Sequence, residues 1–587
     1  MRYSIVELMM KRDPLPRQMK GTVQYLFIDF MRDAAVGMLS ERLKELSQKA
    51  DCPFLQGSAE YGSYIFAKTK DAFEMTALPK EGQTEAALKT LMVEARRAAE
   101  YGFTATEYQR YKQNFLSLLD KQYSNKDKRY NNQFCREYTE HFLENEPIPS
   151  LDTYYQLMKQ MVPSLPLEAV NAQMKQMVPP TDANMVVLNM NQEKDGATYP
   201  TVASLSQAVA EARYQDVEAY VDNVKNEPLM AKMPTAGKIV KEQEGKKFGY
   251  KELTLSNGVT VVLKQTDLKK DQVLLSGEGF GGSSLYGAAD FANIKLFDEV
   301  VEASGLGNFS HTELEKALAG KIASASLQLG NTREYVSGSS TPGDVETMLQ
   351  LVHLTMTNIK KDQESYDNMM KTTALLLKNK SLQPEAVFGD SLAVTLSGHN
   401  ERQAPLSMDD LQRVNYDRIL AMAKELTANA AAFTFTIIGN FDEAKLRPLL
   451  ELYLGSLPSK QEVVKGKDTY KGYSGEVKNN FHRKMETPKA IAVMAWKNNH
   501  MDYTLENIVR ADMAGQLLTM IYVEKIREEA SAAYSVMSQA GVSRDDFRTT
   551  GQVLVYCPMK PEKGDIATKI MLDEVNALAK TVDASAL

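Results

Sequence analysis

The segment from Thr436 to Pro458, TIIGNFDEAKLRPLLELYLGSLP, says more about the fold than any other stretch of the chain. Its first residues continue a β-rich run that begins at Phe433, and this run stops at Gly439-Asn440. Glycine and asparagine are typical turn residues, and we predict a helix after them. The segment therefore predicts a strand, a turn and a helix in succession, as expected for a domain that combines strands and helices.

The same segment closes a predicted domain at residues 248–462. This domain opens with LTLSNGVTVVL, which predicts a hairpin around Asn257-Gly258, a strong two-residue turn signal. A helix is predicted to begin at Thr341-Pro342, because proline favours the first helical position. Its inward face is predicted from apolar residues at helical spacing: Val345, Leu349, Val352, Met356 and Ile359.

Three further segments complete the predicted organisation. Residues 1–193, whose start we expect to be truncated, are predicted to form a domain with a long helix between Met19 and Lys49. Residues 194–247 are predicted to form a connector that contains one helix and is otherwise polar and interrupted by proline. Residues 463–587 are predicted to form a last, incomplete domain. The predicted fold class is α+β, with repeated domains in which a mostly antiparallel or mixed sheet is covered by helices.

Composition narrows the possible functions. The chain has 587 residues, of which 43% are hydrophobic and 25% charged, and these fractions are ordinary for a folded protein of several domains. The net charge of −7 gives no electrostatic basis for binding nucleic acid or an anionic membrane. The three cysteines show no C-x-x-C spacing, which argues against a disulfide framework and against a thiolate zinc site.

The N-terminus carries no recognisable targeting signal. No apolar run reaches the length of a transmembrane helix. The opening segment MRYSIVELMMKRDPLP contains Glu7 within its apolar part and has no small-residue cleavage site, so we predict that it is not a signal peptide. It predicts a strand and a Pro-bounded loop. This unusual start, together with an incomplete last domain, leads us to expect a fragment of a longer protein.

The run from Ile526 to Tyr534, IREEASAAY, places two functional side chains close together in sequence. Arg527 is predicted at the end of an amphipathic helix, and Tyr534 at the start of a strand that pairs with residues 547–556. A guanidinium and a phenol at such a turn can both donate hydrogen bonds to a developing oxyanion. From spacing alone, an ordinary surface arginine and a tyrosine at the edge of the core are the simpler interpretation.

The chain resembles the pitrilysin/insulinase family of zinc metallopeptidases over nearly its whole length. The R-E-x-x-x-x-x-Y phrase formed by Arg527 and Tyr534 matches the family's last domain. Residues 1–193, 248–462 and 463–587 resemble its second, third and fourth domains. Among the members of the family, the chain resembles the large bacterial ones. In the third domain the resemblance rests on LSNGVTVVLK (255–264), GGSS (281–284), GLGNFSHTELEKALAGK (305–321) and the segment 436–458.

The zinc motif of the family is absent from this sequence. That motif is H-x-x-E-H on a helix, where two imidazoles one turn apart bind zinc and the glutamate acts as general base. In the segment GAADFANI, Asp290, Asn293 and Ile294 stand where the family has His, Glu and His. A carboxylate, an amide and an aliphatic side chain cannot form that site. We therefore predict that this chain binds no metal and that any zinc belongs to the parent enzyme.

The six histidines have ordinary structural interpretations. No two of them lie within a helical turn or two of each other. His353 lies on an apolar helix and is predicted to be a core or boundary residue. His311 is predicted at the start of a helix, where Ser310 or Thr312 can act as the cap.

The resemblance implies a function for the parent protein. In the family, two halves face each other as bowls and enclose a peptide, and the first domain carries the zinc. It implies that Arg527 orients the peptide and that Tyr534 stabilises the oxyanion from the opposite half. The implied partners are a peptide substrate and the missing N-terminal catalytic domain or a separate catalytic subunit, with no nucleic acid and no membrane span. The implied compartment is the periplasm or cell envelope.

A second hypothesis assigns the chain to a different class of protein. In this hypothesis the chain is a complete, catalytically inactive partner or scaffold that pairs with a separate zinc peptidase chain. The retained Arg527 and Tyr534 favour an active parent, because a scaffold does not need them. An in-frame H-x-x-E-H upstream of Met1 supports the fragment hypothesis, whereas a genuine start codon beside a separate peptidase gene supports the second.

Overall fold

The computed structural model of the protein describes residues 3–193, 196–460, 462–485 and 487–580. The chain divides into two compact units. One consists of Met1–Gln383 with His399–Thr469, and the other of Pro384–Gly398 with Tyr470–Leu587. The domain boundaries at residues 193, 247 and 462 remain predictions. Both units combine helices with sheets whose strands are mostly antiparallel, which confirms the α+β fold class.

The strands are numbered along the chain. They are β1 Ile5–Arg12, β2 Phe54–Ser63, β3 Asp71–Pro79, β4 Met185–Met190, β5 Ile239–Glu244, β6 Lys251–Leu255, β7 Thr260–Gln265, β8 Val273–Phe280, β9 Gly305–Leu306, β10 Ala323–Leu329, β11 Arg333–Ser340, β12 Ile359–Lys360, β13 Thr434–Gly439, β14 Ala490–Asn498, β15 Met537–Arg544 and β16 Thr549–Met559.

The helices are numbered in the same way. They are α1 Arg17–Lys20, α2 Val23–Gln48, α3 Thr84–Tyr101, α4 Ala105–Ser124, α5 Asn131–Glu144, α6 Leu151–Ser164, α7 Leu167–Met177, α8 Val202–Tyr214, α9 Phe291–Lys295, α10 Phe297–Glu302, α11 His311–Ala317, α12 Val345–Thr357, α13 Gln363–Lys380, α14 Pro384–Leu396, α15 Met408–Arg413, α16 Tyr416–Thr427, α17 Glu443–Leu449, α18 Leu505–Tyr522 and α19 Gly564–Leu578.

The first sheet has the strand order β2-β3-β1-β4, and all of its neighbours are antiparallel. Alternate residues of β1, such as Val6 and Leu8, are buried because one face of the sheet packs on helices. Leu39 and Leu43 of α2 lie in the same core. The predicted long helix between Met19 and Lys49 is thus α2, preceded by the single turn α1.

The second sheet has seven strands in the order β10-β11-β8-β13-β7-β6-β5, and only β13 and β7 are parallel. The predicted hairpin is confirmed: β6 and β7 pair across Asn257-Gly258, and Gly258 has φ 88°, which glycine adopts without strain. The predicted inward face of α12 is buried except at its last residue. Ile359 lies in β12, because the helix ends at Thr357 and the backbone leaves the helical conformation at Asn358, where φ is −150° and ψ is 64°.

The third sheet lies in the other unit and has the order β14-β16-β15, with antiparallel neighbours. The predicted pairing of residues 547–556 with the strand that follows Arg527 is that of β16 with β15. Buried residues of α18 and α19, including Leu518 and Met571, pack with Val555 of β16 in one small core.

The three sheets contain the same repeat of strand, helix, hairpin and helix. The repeats are β1-α2-β2-β3-α3, then β8-α9-α10-β10-β11-α12 with a short α11 before the hairpin, and β14-α18-β15-β16-α19. In each repeat the second hairpin strand pairs with the first strand, and the first hairpin strand lies outside it. In repeats 1 and 2 a returning strand, β4 or β13, pairs antiparallel with the first strand. The sequence predicted repeated domains, and the described residues contain three copies of this repeat.

The connector is fixed by charged contacts on both sides. Its helix is α8, and residues 215–238, between α8 and β5, form no helix or strand. The hydroxyl of Tyr220 donates to Glu45 at 2.6 Å. Asp222 accepts from Arg110 of α4 at 2.7 Å and from Lys316 of α11 at 3.1 Å. One connector carboxylate therefore joins a helix of the segment before it to a helix of the segment after it.

Candidate active-site residues and the degenerate metal motif

Arg527 lies in a π-helical extension of α18. The extension spans Val523–Glu529, and the amide of Ala530 donates to the carbonyl of Lys525, five residues earlier. Ile526 is fully buried and holds the inner side of the extension in the core. The guanidinium of its neighbour Arg527 therefore points outward, and 46% of the Arg527 side chain is exposed. The prediction that Arg527 lies at the end of a helix is confirmed.

Tyr534 precedes its strand rather than starting it. The backbone turns at Ser531, where φ is 47°, and the carbonyl of Ala532 accepts from the amide of Lys560 at 3.0 Å. Ala533 then forms an isolated bridge to Met559. Because the chain is first attached to the end of β16, regular pairing begins only at Met537, so the predicted strand start at Tyr534 is wrong by three residues. Tyr534 is left 85% exposed.

The structure brings Arg527 and Tyr534 together. The guanidinium carbon of Arg527 lies 5.3 Å from the centroid of the Tyr534 ring, within the range of a cation–π contact. Its Nε also lies 3.3 Å from a carboxylate oxygen of Glu528. Within the described residues the hydroxyl of Tyr534 has no hydrogen-bond partner. The pair can therefore present a phenolic donor and guanidinium donors to the same acceptor.

The degenerate motif lies at the start of repeat 2. Asp290 ends a short 3₁₀ turn, and Asn293 and Ile294 lie in α9. The two carboxylate oxygens of Asp290 accept from Nε and Nη2 of Arg418 at 3.0 and 2.9 Å. The amide of Asn293 donates to Asp290 at 3.0 Å. The hydrogen bonds from Arg418 hold the pKa of Asp290 below its usual range.

Asn293 and Ile294 complete a structural contact between α9 and α16. Asn293 is 3% exposed, and its side-chain oxygen accepts from the amide of Asn415 at 2.8 Å. Ile294 packs on the core of the second sheet. These three side chains are thus engaged by protein groups and do not fit a zinc site. In the described parts of the chain, no group of three or more His, Cys, Asp and Glu side chains could hold a metal ion.

The chain is similar to several known proteins. Residues 413–587 match the family model described as the peptidase M16 inactive domain. A protein of Arabidopsis thaliana named "Zinc protease PQQL-like" is 25% identical over 63% of this chain, and this match covers 36% of that protein. The "Probable zinc protease PqqL" of Escherichia coli (strain K12) is 22% identical over 93% of this chain and 58% of that protein.

The chain is similar to PqqL-like zinc proteases, and its residues 413–587 match the M16 inactive domain. The resemblance to the pitrilysin/insulinase family is thereby confirmed. Solved structures show the same fold. The periplasmic protease PqqL from Escherichia coli aligns with a TM-score of 0.55 at 20% identity, over 99% of this chain and 64% of that chain. The ferredoxin protease FusC, in complex with Arabidopsis ferredoxin, aligns with a TM-score of 0.66 at 16% identity, over 100% of this chain and 64% of that chain.

The chain therefore spans less than two thirds of the length of each of these relatives. Among its described residues, no helix combines the length and the apolar character needed to cross a membrane.

Two histidines of the chain, His353 and His311, have the structural roles predicted for them. His353 is buried in α12, and its Nδ1 lies 2.8 Å from the carbonyl oxygen of Tyr453, so the ring donates there. Burial lowers the pKa of His353. His311 begins α11, and the Ser310 hydroxyl caps the helix by accepting from the amide of Glu313 at 3.2 Å.

Sequence reasoning missed Arg418, the partner of Asp290. The two residues are 128 positions apart, and Arg418 lies on α16, an ordinary amphipathic helix with an asparagine cap at Asn415. A cap and an apolar face predict the helix but not the residue that its exposed arginine meets. No local signal in the sequence identifies this pair.

Proposed function

We propose that this chain is the C-terminal, non-zinc-binding part of a zinc metalloendopeptidase, and that Arg527 and Tyr534 act on the peptide at a zinc site carried by another domain or chain. The observation that supports this most directly is the exposed Arg527–Tyr534 pair, whose donors are largely unused by the protein. Tyr534 is 85% exposed, so its phenol is accessible to a ligand.

The proposed mechanism assigns one role to each side chain. The H-x-x-E-H residues of another domain or chain would hold the zinc, which would supply an activated water for attack on the scissile carbonyl. Arg527 binds a backbone carbonyl of the peptide and fixes its orientation, because a guanidinium offers several donors in a fixed plane. Tyr534 donates its O–H to the scissile carbonyl oxygen as negative charge develops there. The ring contact with Arg527 keeps the phenol beside the bound backbone.

Removing the phenolic hydroxyl tests the role of Tyr534. In the active assembly with the H-x-x-E-H domain, Tyr534→Phe is expected to lower kcat about 10- to 1000-fold, as loss of an oxyanion donor does. Tyr503→Phe is the matched control, because Tyr503 is an exposed tyrosine of the same unit. Turnover of Tyr534→Phe within about twofold of the unsubstituted assembly refutes the assigned role.

The metal assignment has its own test. We expect the purified chain to bind no stoichiometric zinc and to cleave no peptide, because Asp290, Asn293 and Ile294 are already engaged with Arg418, Asn415 and the core. Metal analysis after dialysis against micromolar zinc measures this. One tightly bound zinc per chain contradicts the assignment of the metal to another domain.

The alternative is a complete inactive partner or scaffold, and the match of residues 413–587 to a domain described as inactive is compatible with it. The two proposals differ in where the H-x-x-E-H sequence lies: in the same reading frame for the fragment, or in a separate gene for the partner. The compartment proposed for the parent protein is the periplasm, since the solved PqqL structure is that of a periplasmic protease.

A further inference from the structure

The first sheet ends at β4, whereas the second sheet continues beyond β13. In the second sheet, β13 has β8 on one side and β7 on the other, and β7 runs parallel to it. In the first sheet, β4 pairs with β1 on one side. Among the described residues, no strand pairs with its other side.

The registers show that β4 and β13 are equivalent strands. Leu8 of β1 lies opposite Val187, and Leu275 of β8 lies opposite Ile437. The first of each pair is a buried residue of its sheet's first strand. With this alignment, Met185-Val-Val-Leu-Asn189 corresponds to Phe435-Thr-Ile-Ile-Gly439, so apolar residues occupy the same core-facing positions.

The core-facing residues of β4 are less buried than those of β13, as expected for a strand without a neighbour on one side. Phe435 and Ile437 of β13 are 0% exposed. Val261 and Leu263 of β7 lie opposite them in register and are also buried. Met185 and Val187 contact the first core but are only partly buried. A neighbouring strand with apolar residues at the positions of Val261 and Leu263 would cover them.

The edge at β4 also lacks the features that usually protect an open strand. Its sequence MVVLNM contains no charged residue and no proline, and its pairing with β1 has no bulge. The sheet ends at β2 and β5 differ from it. Both have a register shift near their first residue, and both contain charged residues, such as Glu60 in β2 and Lys241 in β5.

We propose that the outer edge of β4 binds a β-hairpin from a separate polypeptide segment, whose inner strand runs parallel to β4 and alternates apolar and polar residues as β7 does. Met185 and Val187 receive its apolar side chains. A second copy of this chain does not supply the hairpin, because its own β6–β7 is already paired with β13 and β5. The ligand class is therefore an unpaired hairpin with the pattern of β6–β7.

A fusion to the full chain tests this proposal. A copy of Lys251–Gln272, which contains β6, the turn, β7 and the link to β8, is joined ahead of Met1 by a flexible linker. Tethering is needed because an isolated two-stranded hairpin is marginal in water and a linker gives an effective concentration of about millimolar. Hydrogen exchange of the segment Met185–Met190 is measured by mass spectrometry, and we expect its outward amides to exchange at least about tenfold more slowly.

The control fusion carries serine in place of the copied Val261 and Leu263, and we expect no slowing with it. Val187→Lys in the body of the chain is expected to abolish the slowing with the apolar hairpin. Unchanged exchange with the apolar hairpin overturns the proposal, as does equal slowing with the serine control. In the unfused chain, hydrogen exchange of Met185–Met190 is also measured at increasing protein concentration. If exchange slows with concentration and light scattering shows a dimer, a second copy covers β4 and the proposal is overturned.

Discussion

Arg42 and Arg527 occupy comparable places in repeats 1 and 3, since each lies toward the C-terminal end of the long helix that follows the first strand. Arg42 is 2% exposed and donates from Nε and Nη2 to the two carboxylate oxygens of Glu107 at 2.6 and 2.8 Å. Its guanidinium also lies 4.7 Å from the Phe103 ring centroid and 4.2 Å from that of Tyr220. Arg527 has one ring beside it and its carboxylate neighbour Glu528, and half of its side chain is exposed.

The difference shows that the environment, not the residue type or its place in the repeat, decides what an arginine does. The donors of Arg42 are used to hold α2, α4 and the connector together. The donors of Arg527 remain available to a ligand. Between these two cases lies Asp290 in repeat 2, a predicted degenerate motif position, which forms an ion pair with Arg418. Substitutions at these sites should therefore separate stability from activity.

The largest effect is expected at the buried pair. Arg42→Ala leaves Glu107 buried and unpaired, so the free energy of unfolding of the unit that contains α2 should fall by about 3–5 kcal/mol. Urea unfolding followed by circular dichroism measures this. Arg527→Ala, at an exposed site, should change it by less than about 0.5 kcal/mol. Equal losses for the two variants contradict the proposed division of roles.

A more specific stability test replaces both residues of the Arg42–Glu107 ion pair. The double variant Arg42→Met with Glu107→Leu keeps apolar volume and leaves no charge unpaired, so it should recover most of the stability that Arg42→Ala loses. Failure to recover would mean that the ring contacts of the guanidinium, rather than its charge, dominate at this site.

The next largest effect is expected on peptide cleavage, at Arg527. In the assembly with the catalytic domain, Arg527→Ala should lower kcat/KM about 10- to 100-fold, the range expected when a hydrogen bond from a charged group to the substrate is lost. Arg527→Lys keeps the charge but not the planar fork, and should recover only part of the loss. Arg510→Ala is the control, because Arg510 lies on the same α18 and pairs with Glu506. A loss with Arg510→Ala as large as with Arg527→Ala would show a general charge effect.

A smaller effect is expected at Asp290. Asp290→Ala removes two hydrogen bonds from Arg418 and one from Asn293, and should lower the free energy of unfolding by about 1–2 kcal/mol. Asp290→Asn keeps one acceptor and should cost less. Neither variant is expected to change peptide cleavage in the active assembly. A change in cleavage without a change in stability would contradict the structural role of this cluster.

The smallest effect depends on pH and concerns His353. Burial lowers its pKa in the folded state, so the unfolded chain binds more protons below the ordinary histidine pKa. Stability should therefore be lost as the pH falls below about 6.5, by no more than about 1.4 kcal/mol per pH unit. His353→Asn keeps a donor toward Tyr453 and should flatten this dependence, whereas the exposed control His482→Asn should not. An unchanged pH slope in His353→Asn contradicts the assignment.

Local signals in the sequence predicted local structure well. The Asn257-Gly258 turn, the strand within 433–439 and the helix begun by Thr341-Pro342 depend on neighbouring residues, and all are present. The pairing of Tyr534 was misplaced because the tether at Ala533 depends on Met559, which the local pattern does not contain. The partners of Asp290 and Arg42 lie 128 and 65 residues away, so only the assembled fold brings them together. The proximity of Arg527 and Tyr534 was predicted because both lie on one short turn.

The π-helical extension at Val523–Glu529 has a consequence for the tolerance of this region to length changes. A π-helical turn holds one residue more than an α-helical turn. Deleting one residue there would let the segment close as an α-helix, and the chain after it would keep nearly the same direction, because the wider turn is what accommodates the extra residue. Within the segment the side chains would be spaced by about 100° instead of the smaller step of the π-helical turn, so Arg527 would change its direction relative to the Tyr534 ring while Leu518 kept its place in the core. The orientation of this arginine is thus encoded by residue count as much as by residue identity.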